Sequence, residues 1–299
     1  MTYTLTHTHL LILRQKIISC ADSGDFTQAE TLVNQMQAEA ISQNRHDGLP
    51  DVDSYTALMN AFIDGQRRLI SAIKDKGGDY EFDEDSSTQQ IITLAEKAHD
   101  LLIQMENFSG VSDHYSSMRS SGSTGADLRN ATLRPTSHHY DSAILAFANV
   151  VTAARHTKYT SHLAKGAPFI AQRWLQRMET LAFDPHSGVR PTVDSYYHVM
   201  EAFAVSGVAA DVPDKHCKAS TLAQSVFNML KQNTNILPTV REYRLMIRSW
   251  CGKPGHRDAA YEAQGNWLAM KKEFVEGDEE MEPTLEDGKM VLEAWSKAV

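Results

Sequence analysis

The sequence predicts an all-α protein, an α-solenoid of stacked antiparallel helix–turn–helix repeats. Three observations predict this class. A first type of helical segment recurs five times, each time behind a proline. A second type alternates with it and carries an alanine followed two helical turns later by a methionine or leucine. The 299 residues are 42% hydrophobic, which is enough to bury a core in an array that grows by adding units.

The first-type helices share the pattern P-x4-Y-x2-h-h-x-[AS]-[FW], in which h is apolar. Their prolines are Pro50, Pro135, Pro191, Pro238 and Pro283. The tyrosine place holds Tyr55, Tyr140, Tyr196, Tyr243 and Gly288. The final aromatic is Phe62, Phe147, Phe203, Trp250 or Trp295. Proline fixes an extended entry to each helix, and apolar residues three, four and seven apart share one helical face.

The second-type helices carry an alanine and a larger apolar residue at a spacing of seven. The pairs are Ala29 with Met36, Ala98 with Met105, Ala171 with Met178, Ala223 with Leu230 and Ala263 with Met270. Both residues of a pair lie on one face, where alanine allows a close approach and methionine fills the remaining gap. We expect these residues to form core rather than a cofactor site.

In chain order, the segments predict five helix pairs and one further helix. The pairs cover about 8–42, 51–107, 136–182, 192–233 and 239–275. The helix over 285–298 has no second helix, so we expect Val291, Leu292 and Trp295 to leave an apolar surface open. Because a solenoid end normally needs a polar cap, we also expect the sequence to be an excerpt of a longer chain.

Polar stretches predict the domain organisation. Residues 1–107 form N-terminal helical repeats, with an acidic insert at 77–88. Residues 108–133 form a flexible linker, because they are rich in serine and glycine. Residues 134–299 form C-terminal helical repeats that end in the unpaired helix.

Together, the proline, tyrosine and Ala–Met positions resemble the pentatricopeptide repeat (PPR) family. The closest copy is Pro50–Met59, which reads P-D-V-D-S-Y-T-A-L-M. The resemblance covers nearly the whole chain, although the turns are longer than those of the family. The tetratricopeptide repeat is the competing assignment, because it shares the helix pair and the small residue. Its W-x2-L-G-x2-Y helix does not occur in this sequence.

The resemblance implies binding of single-stranded RNA, with one base read per repeat by two or three side chains. In the family, the residue after the tyrosine is the first base-reading position, and the residue after the next proline is the second. Carried over, the first set is Thr56, Asp141, Tyr197, Arg244 and Lys289. The second set is Asp51, Thr136, Thr192, Thr239 and Thr284. Only Thr56 fits the family's residue types at the first position, and the four threonines look more like helix caps than base readers.

Arg241, Arg244 and Arg248 recur at spacings of three and four, so they share a helical face. They form a candidate phosphate-binding stripe, for which an ordinary solvated face is the alternative. The net charge of −9 counts against nucleic-acid binding unless the acidic groups are segregated.

Other function classes are disfavoured. The sequence has no H-E-x-x-H motif, no paired-cysteine motif and no glycine-rich phosphate loop. We therefore expect no catalysis, no metal and no cofactor. No apolar run approaches the roughly 18 residues that span a bilayer, so we expect no membrane partner.

The resemblance thus implies a non-catalytic, sequence-selective RNA-binding protein in organellar RNA processing or stability. It implies a location in the mitochondrion or in a plastid such as the chloroplast. The first 21 residues contain no acidic side chain but are only weakly transit-like, which leaves a cytoplasmic location as the alternative. The alternative function is a protein–protein interaction scaffold without RNA binding, which the negative charge and the incomplete base code favour.

Overall fold

The computed structural model describes residues 7–43, 45, 48–75, 84–110, 133–157, 162–209, 218–251 and 256–298. Within these ranges the chain forms eleven α-helices and no strand, which confirms the predicted all-α class. The helices are α1 (His7–Asp22), α2 (Phe26–Ser42), α3 (Val52–Asp75), α4 (Glu84–Ser109), α5 (Ser137–Thr157), α6 (His162–Ala182), α7 (Val193–Ala209), α8 (Lys218–Gln232), α9 (Val240–Cys251), α10 (Arg257–Val275) and α11 (Leu285–Lys297). No helix in the described ranges has the length and apolar character that crossing a bilayer requires.

The predicted helix pairs correspond to α1 with α2, α3 with α4, α5 with α6, α7 with α8 and α9 with α10. The odd-numbered helices from α3 to α11 are thus the five first-type helices. One boundary differs, because α4 begins at Glu84 and the end of the predicted acidic insert is therefore helical. The rest of that insert and most of the predicted linker lie outside the described residues.

The chain divides into two compact units. Met1–Ala146 and Arg177–Arg190 form the first unit, and Phe147–Gln176 and Pro191–Val299 form the second. The predicted linker at 108–133 lies mostly outside the described residues, so that domain division stays a prediction.

In the first unit, helices pack against their neighbours in the chain. Helix α1 contacts α2 and α3, and α3 contacts α4. Tyr55 of α3 is fully buried, and its hydroxyl accepts a hydrogen bond of 2.8 Å from the amide of Gln37 on α2. The repeated spacing of apolar residues along each helix therefore places one face in a shared core.

In the second unit, α9 is the most connected helix. It contacts α7, α8, α10 and α11, and α7 packs against α8. Phe227 of α8 meets the ring of Tyr243 of α9 edge to face, with the ring centroids 5.0 Å apart. The tyrosine of the repeat pattern is thus a core residue in this unit as well.

The alanine and the larger apolar residue of every second-type helix are completely buried, as the spacing predicts. Each of the ten residues has a relative exposure of 0%. The members are Ala29, Met36, Ala98, Met105, Ala171, Met178, Ala223, Leu230, Ala263 and Met270. The seven-residue spacing therefore marks the inner face of these helices.

Helix α11 is less open than the sequence predicts. It packs against both α9 and α10, so Val291 is buried. The indole N–H of Trp295 donates to Gln264 of α10 at 3.0 Å, and the ring meets Tyr261 edge to face. The prediction of an open apolar surface is therefore wrong for Val291 and correct for Leu292, which is exposed, whereas Trp295 is half-buried.

Candidate functional site

In each unit, the candidate residues lie in the N-terminal halves of the first-type helices, and each of these helices begins with a side-chain cap. At α3, Oδ1 of Asp51 accepts hydrogen bonds from the backbone N–H and the hydroxyl of Ser54, at 2.9 and 2.6 Å. At α7 the contact is reciprocal, because Thr192 and Ser195 each donate a backbone N–H to the other's hydroxyl oxygen. These contacts satisfy amide groups that the first helical turn leaves without a backbone partner.

In the remaining three helices, the residue that pairs with the threonine at the helix start is larger than serine. The backbone N–H of Thr239 donates to Glu242 at 2.7 Å, and its hydroxyl donates to the same oxygen. The backbone N–H of Thr136 donates to Nδ1 of His139 at 3.1 Å. Thr284 and Asp287 form a complete capping box at the start of α11.

We call the fourth residue after each proline the box residue. All five box residues are buried, with a relative exposure of 0 or 1%. They are Ser54, His139, Ser195, Glu242 and Asp287. The repeat pattern P-x4-Y does not specify the residue at this position, although Thr239 followed three residues later by Glu242 matches the known capping-box spacing.

The four threonines of the second base-reading set therefore hold helix starts. Thr136, Thr192, Thr239 and Thr284 each contact the box residue of their own helix. This is the capping role that the sequence left open as an alternative to base reading.

Thr56, the first base-reading position of α3, contacts a box residue of the first unit. Its Oγ1 donates to the carbonyl of Val52 at 2.7 Å and lies 3.0 Å from Nε2 of His139. Because Nδ1 of His139 accepts the backbone N–H of Thr136, the network assigns the ring proton to Nε2, which donates to Thr56. Burial and the neighbouring His138 lower the pKa of His139 to about 4, so the ring is neutral at physiological pH.

Arg244, the first base-reading position of α9, is bound by the box residue of α11. Its Nε lies 3.0 and 3.1 Å from the two carboxylate oxygens of Asp287, and one terminal nitrogen lies 3.1 Å from Oδ2. Burial alone would raise the pKa of Asp287, but hydrogen bonds from Arg244 and Thr284 outweigh it and hold the pKa below its ordinary value. The pair is therefore ionised and its charges cancel.

Tyr197, the first base-reading position of α7, lies beneath a cation. The guanidinium carbon of Arg241 is 3.3 Å from the ring centroid of Tyr197. The same guanidinium binds Asp194 at 2.7 Å, and the Tyr197 hydroxyl donates to Glu201 at 3.2 Å. The side chain of Arg241 is nevertheless 47% exposed.

The other candidates differ in their exposure. Arg248 is exposed on α9, and Asp141 is half-buried on α5. Lys289 is 63% exposed and lies 3.8 Å from Glu286, one turn earlier on α11. Of the predicted arginine stripe, the two outer members are exposed and the middle member, Arg244, is neutralised by Asp287.

Comparison with known proteins identifies no match among family models or curated proteins. In the part of the chain that the structure describes, no three His, Cys, Asp or Glu side chains are grouped so that they could hold a metal ion. The PPR assignment therefore remains a resemblance carried by the repeat pattern.

Proposed function

We propose that the chain is a PPR-like α-solenoid that binds single-stranded RNA without catalysing a reaction and acts in organellar RNA processing or stability. The repeat pattern and the alternation of two helix types support the solenoid. The contacts of the second unit also support it, because α9 touches the first-type helices before and after it and α10 packs against both α9 and α11.

The pair of Arg241 and Tyr197 is the observation that carries the RNA proposal. Nucleic-acid bases stack on aromatic rings and on guanidinium planes. Arg241 is held over Tyr197 and by Asp194, and 47% of its side chain is exposed. A base can therefore stack on the outer side of a guanidinium that the protein has already positioned.

Phosphate contacts accompany this stack. Arg248 is exposed on the same helix as Arg241, and Lys289 is exposed on the adjacent α11. Lys and Arg side chains bind phosphate oxygens without regard to sequence. Because stacking accepts every base and the threonines serve as caps, we expect weak base selectivity at these repeats.

Fluorescence anisotropy with a labelled pool of unstructured RNA tests this proposal at two salt concentrations. Arg241→Gln removes the stacking plane and one charge, and we expect roughly tenfold weaker binding with a smaller salt dependence. Arg257→Gln is the matched control, because Arg257 is an exposed arginine at the start of α10. The absence of binding to any RNA pool at low salt would remove the RNA proposal.

A protein–protein interaction scaffold is the second candidate. The neutralised Arg244 and the net charge of −9 favour it, since both reduce the attraction for phosphate. The location that goes with the first proposal is the mitochondrion or a plastid, which imaging of the tagged protein tests. A diffuse cytoplasmic signal would contradict the organellar location.

A further inference from the structure

Two arginines of the first unit occupy the same place in the repeat pattern. Arg134 and Arg190 each stand directly before the proline that precedes a first-type helix, where the other repeats have Leu49, Leu237 and Glu282. Both arginines are exposed, and both belong to the first unit. This repeat position therefore carries a positive charge twice within one unit.

Hydrogen bonds hold the segments around the two arginines side by side. Nη1 of Arg134 donates to the backbone carbonyl of His186 at 3.0 Å. The backbone N–H of Arg190 donates to the hydroxyl oxygen of Ser137 at 2.8 Å, and that hydroxyl donates to the carbonyl of Arg190 at 2.8 Å. The segment before α5 and the segment after α6 are thus fixed against each other, with one arginine in each.

The protein groups that bind the two guanidinium groups are uncharged. Arg134 uses the carbonyl of His186, and Nη1 of Arg190 donates to the carbonyl of Val189 at 2.6 Å and to the hydroxyl of Ser187 at 3.3 Å. Neither arginine forms an ion pair with a residue that the structure describes. Most of the five N–H donors that a guanidinium carries therefore have no partner within the described residues.

The acidic side chain of the same segment does not compensate these charges. Asp184 accepts a hydrogen bond of 2.9 Å from the backbone N–H of His186, and it forms no ion pair with Arg134 or Arg190 in the described structure. In the second unit, by contrast, Arg244 is neutralised by Asp287. The first unit thus has two fixed and uncompensated cations in a chain whose net charge is −9.

We propose that Arg134 and Arg190 bind two phosphate groups of a single-stranded RNA. A guanidinium can donate two parallel N–H bonds to the oxygens of one phosphate, and its contacts with backbone carbonyls hold it in place without cancelling its charge. This inference rests on the proposed function and adds phosphate contacts in the first unit, where Thr56 and Thr136 are bound by His139. Because phosphate contacts carry no sequence information, the pair contributes affinity rather than base selectivity.

The salt dependence of RNA binding tests this proposal. The double variant Arg134→Gln, Arg190→Gln is compared with the wild type by fluorescence anisotropy, with a labelled pool of unstructured RNA between about 50 and 200 mM salt. A phosphate contact on a single strand contributes about 0.7 to the slope of log K against log salt concentration, so the slope should become shallower by about 1.4. Binding at the lowest salt concentration should be roughly tenfold weaker.

The matched control is the double variant Arg67→Gln, Arg68→Gln. These adjacent arginines are exposed on α3 in the same unit, so the variant removes the same net charge from another surface. It should bind RNA nearly as tightly as the wild type. An equal loss in both double variants would assign the effect to net charge and overturn the proposal.

A lysine pair separates phosphate binding from a structural role of the two arginines. Arg134→Lys, Arg190→Lys keeps both charges, so it should retain the salt slope and most of the affinity. A lysine pair that binds as weakly as the glutamine pair would overturn the proposal. A glutamine pair with the wild-type slope would also overturn it, while leaving the proposed function in place. Failure of the wild type to bind any RNA pool would instead remove the proposed function itself.

Discussion

Arg244 of α9 binds the carboxylate of Asp287, and the same carboxylate closes the capping box of α11. One acidic side chain therefore joins two successive first-type helices in the second unit. In the first unit, Thr56 and His139 join α3 to α5 at the same two repeat positions with neutral groups. Equivalent junctions between first-type helices are thus formed by an ion pair in the second unit and by a neutral hydrogen bond in the first.

Exchange of these pairs tests whether the junction is modular. Arg244→Thr should lower the free energy of unfolding by about 2 kcal/mol, because Asp287, whose side chain is only 2% exposed, loses its charged partner. The double variant Arg244→Thr, Asp287→His introduces the pair found between α3 and α5. We expect it to regain part of the loss in urea denaturation.

Arg248→Thr is the control for that experiment. Arg248 is exposed one turn further along α9, so its replacement should change stability by no more than about 0.5 kcal/mol. A double variant no more stable than Arg244→Thr alone would show that the two junctions are not interchangeable.

The junctions also explain which parts of the candidate site the sequence could predict. Prolines and tyrosines in register predict the helices, because their effects on the chain are local. The contact of Arg244 with Asp287 joins residues 43 positions apart, so helical periodicity does not reveal it. Helical periodicity does not reveal the contact between Arg241 and Tyr197 either, because it forms only through the packing of α9 on α7. The sequence shows which residue types occupy the base-reading positions, but it does not show which side chains they contact.

Acidification should destabilise the protein through His139. Its pKa is about 4 in the folded chain, against about 6.5 in an unfolded one, so the unfolded state binds the proton first as the pH falls. The stabilisation is complete above the unfolded pKa and is lost as the pH falls toward the folded one. From about pH 7 to about pH 5 the unfolding free energy should drop by about 2 kcal/mol from this group. Urea denaturation across this range measures the drop.

His139→Ser separates this histidine from the other titrating groups. Serine is the box residue of α3 and α7, so the cap of α5 is retained. The variant should show a shallower loss of stability over the same pH range. A slope as steep as that of the wild type would assign the effect to other side chains.

Replacement of Thr239 distinguishes capping from base reading. Thr239→Ala removes the hydroxyl that contacts Glu242 and should cost about 1 kcal/mol in the free energy of unfolding. Thr239→Ser keeps the hydroxyl and should stay close to the wild type. RNA affinity, measured where each variant is folded, should be the same for both. A large loss of RNA affinity in a folded Thr239→Ala variant would show that Thr239 contacts the RNA.

The packing of α10 gives a further test. Ala263 is completely buried, so Ala263→Leu should overpack the core and cost about 1–3 kcal/mol. Two residues later, a Cβ added at Gly265 would meet no atom within 4 Å. Gly265→Ala should therefore stabilise the helix by about 0.5–1 kcal/mol. Thermal unfolding followed by circular dichroism measures both changes, and a stabilising Ala263→Leu would contradict the assignment of the inner face.

The box residues determine which helix pair could be duplicated in tandem with a matched junction between the two copies. A tandem copy of α9 and α10 would place Arg244 of the first copy at the junction with Glu242 of the second. Glu242 is buried, and its Oε1 has no hydrogen-bond partner within the described structure. The copied arginine would supply a cation to that oxygen, so the new junction would be charge-matched from its first appearance. A tandem copy of α3 and α4 would instead place Thr56 beside Ser54, with neither the imidazole nor a charge to join them. Of these two segments, a duplicated α9–α10 is thus the one whose new junction would bring together two side chains that can bind each other.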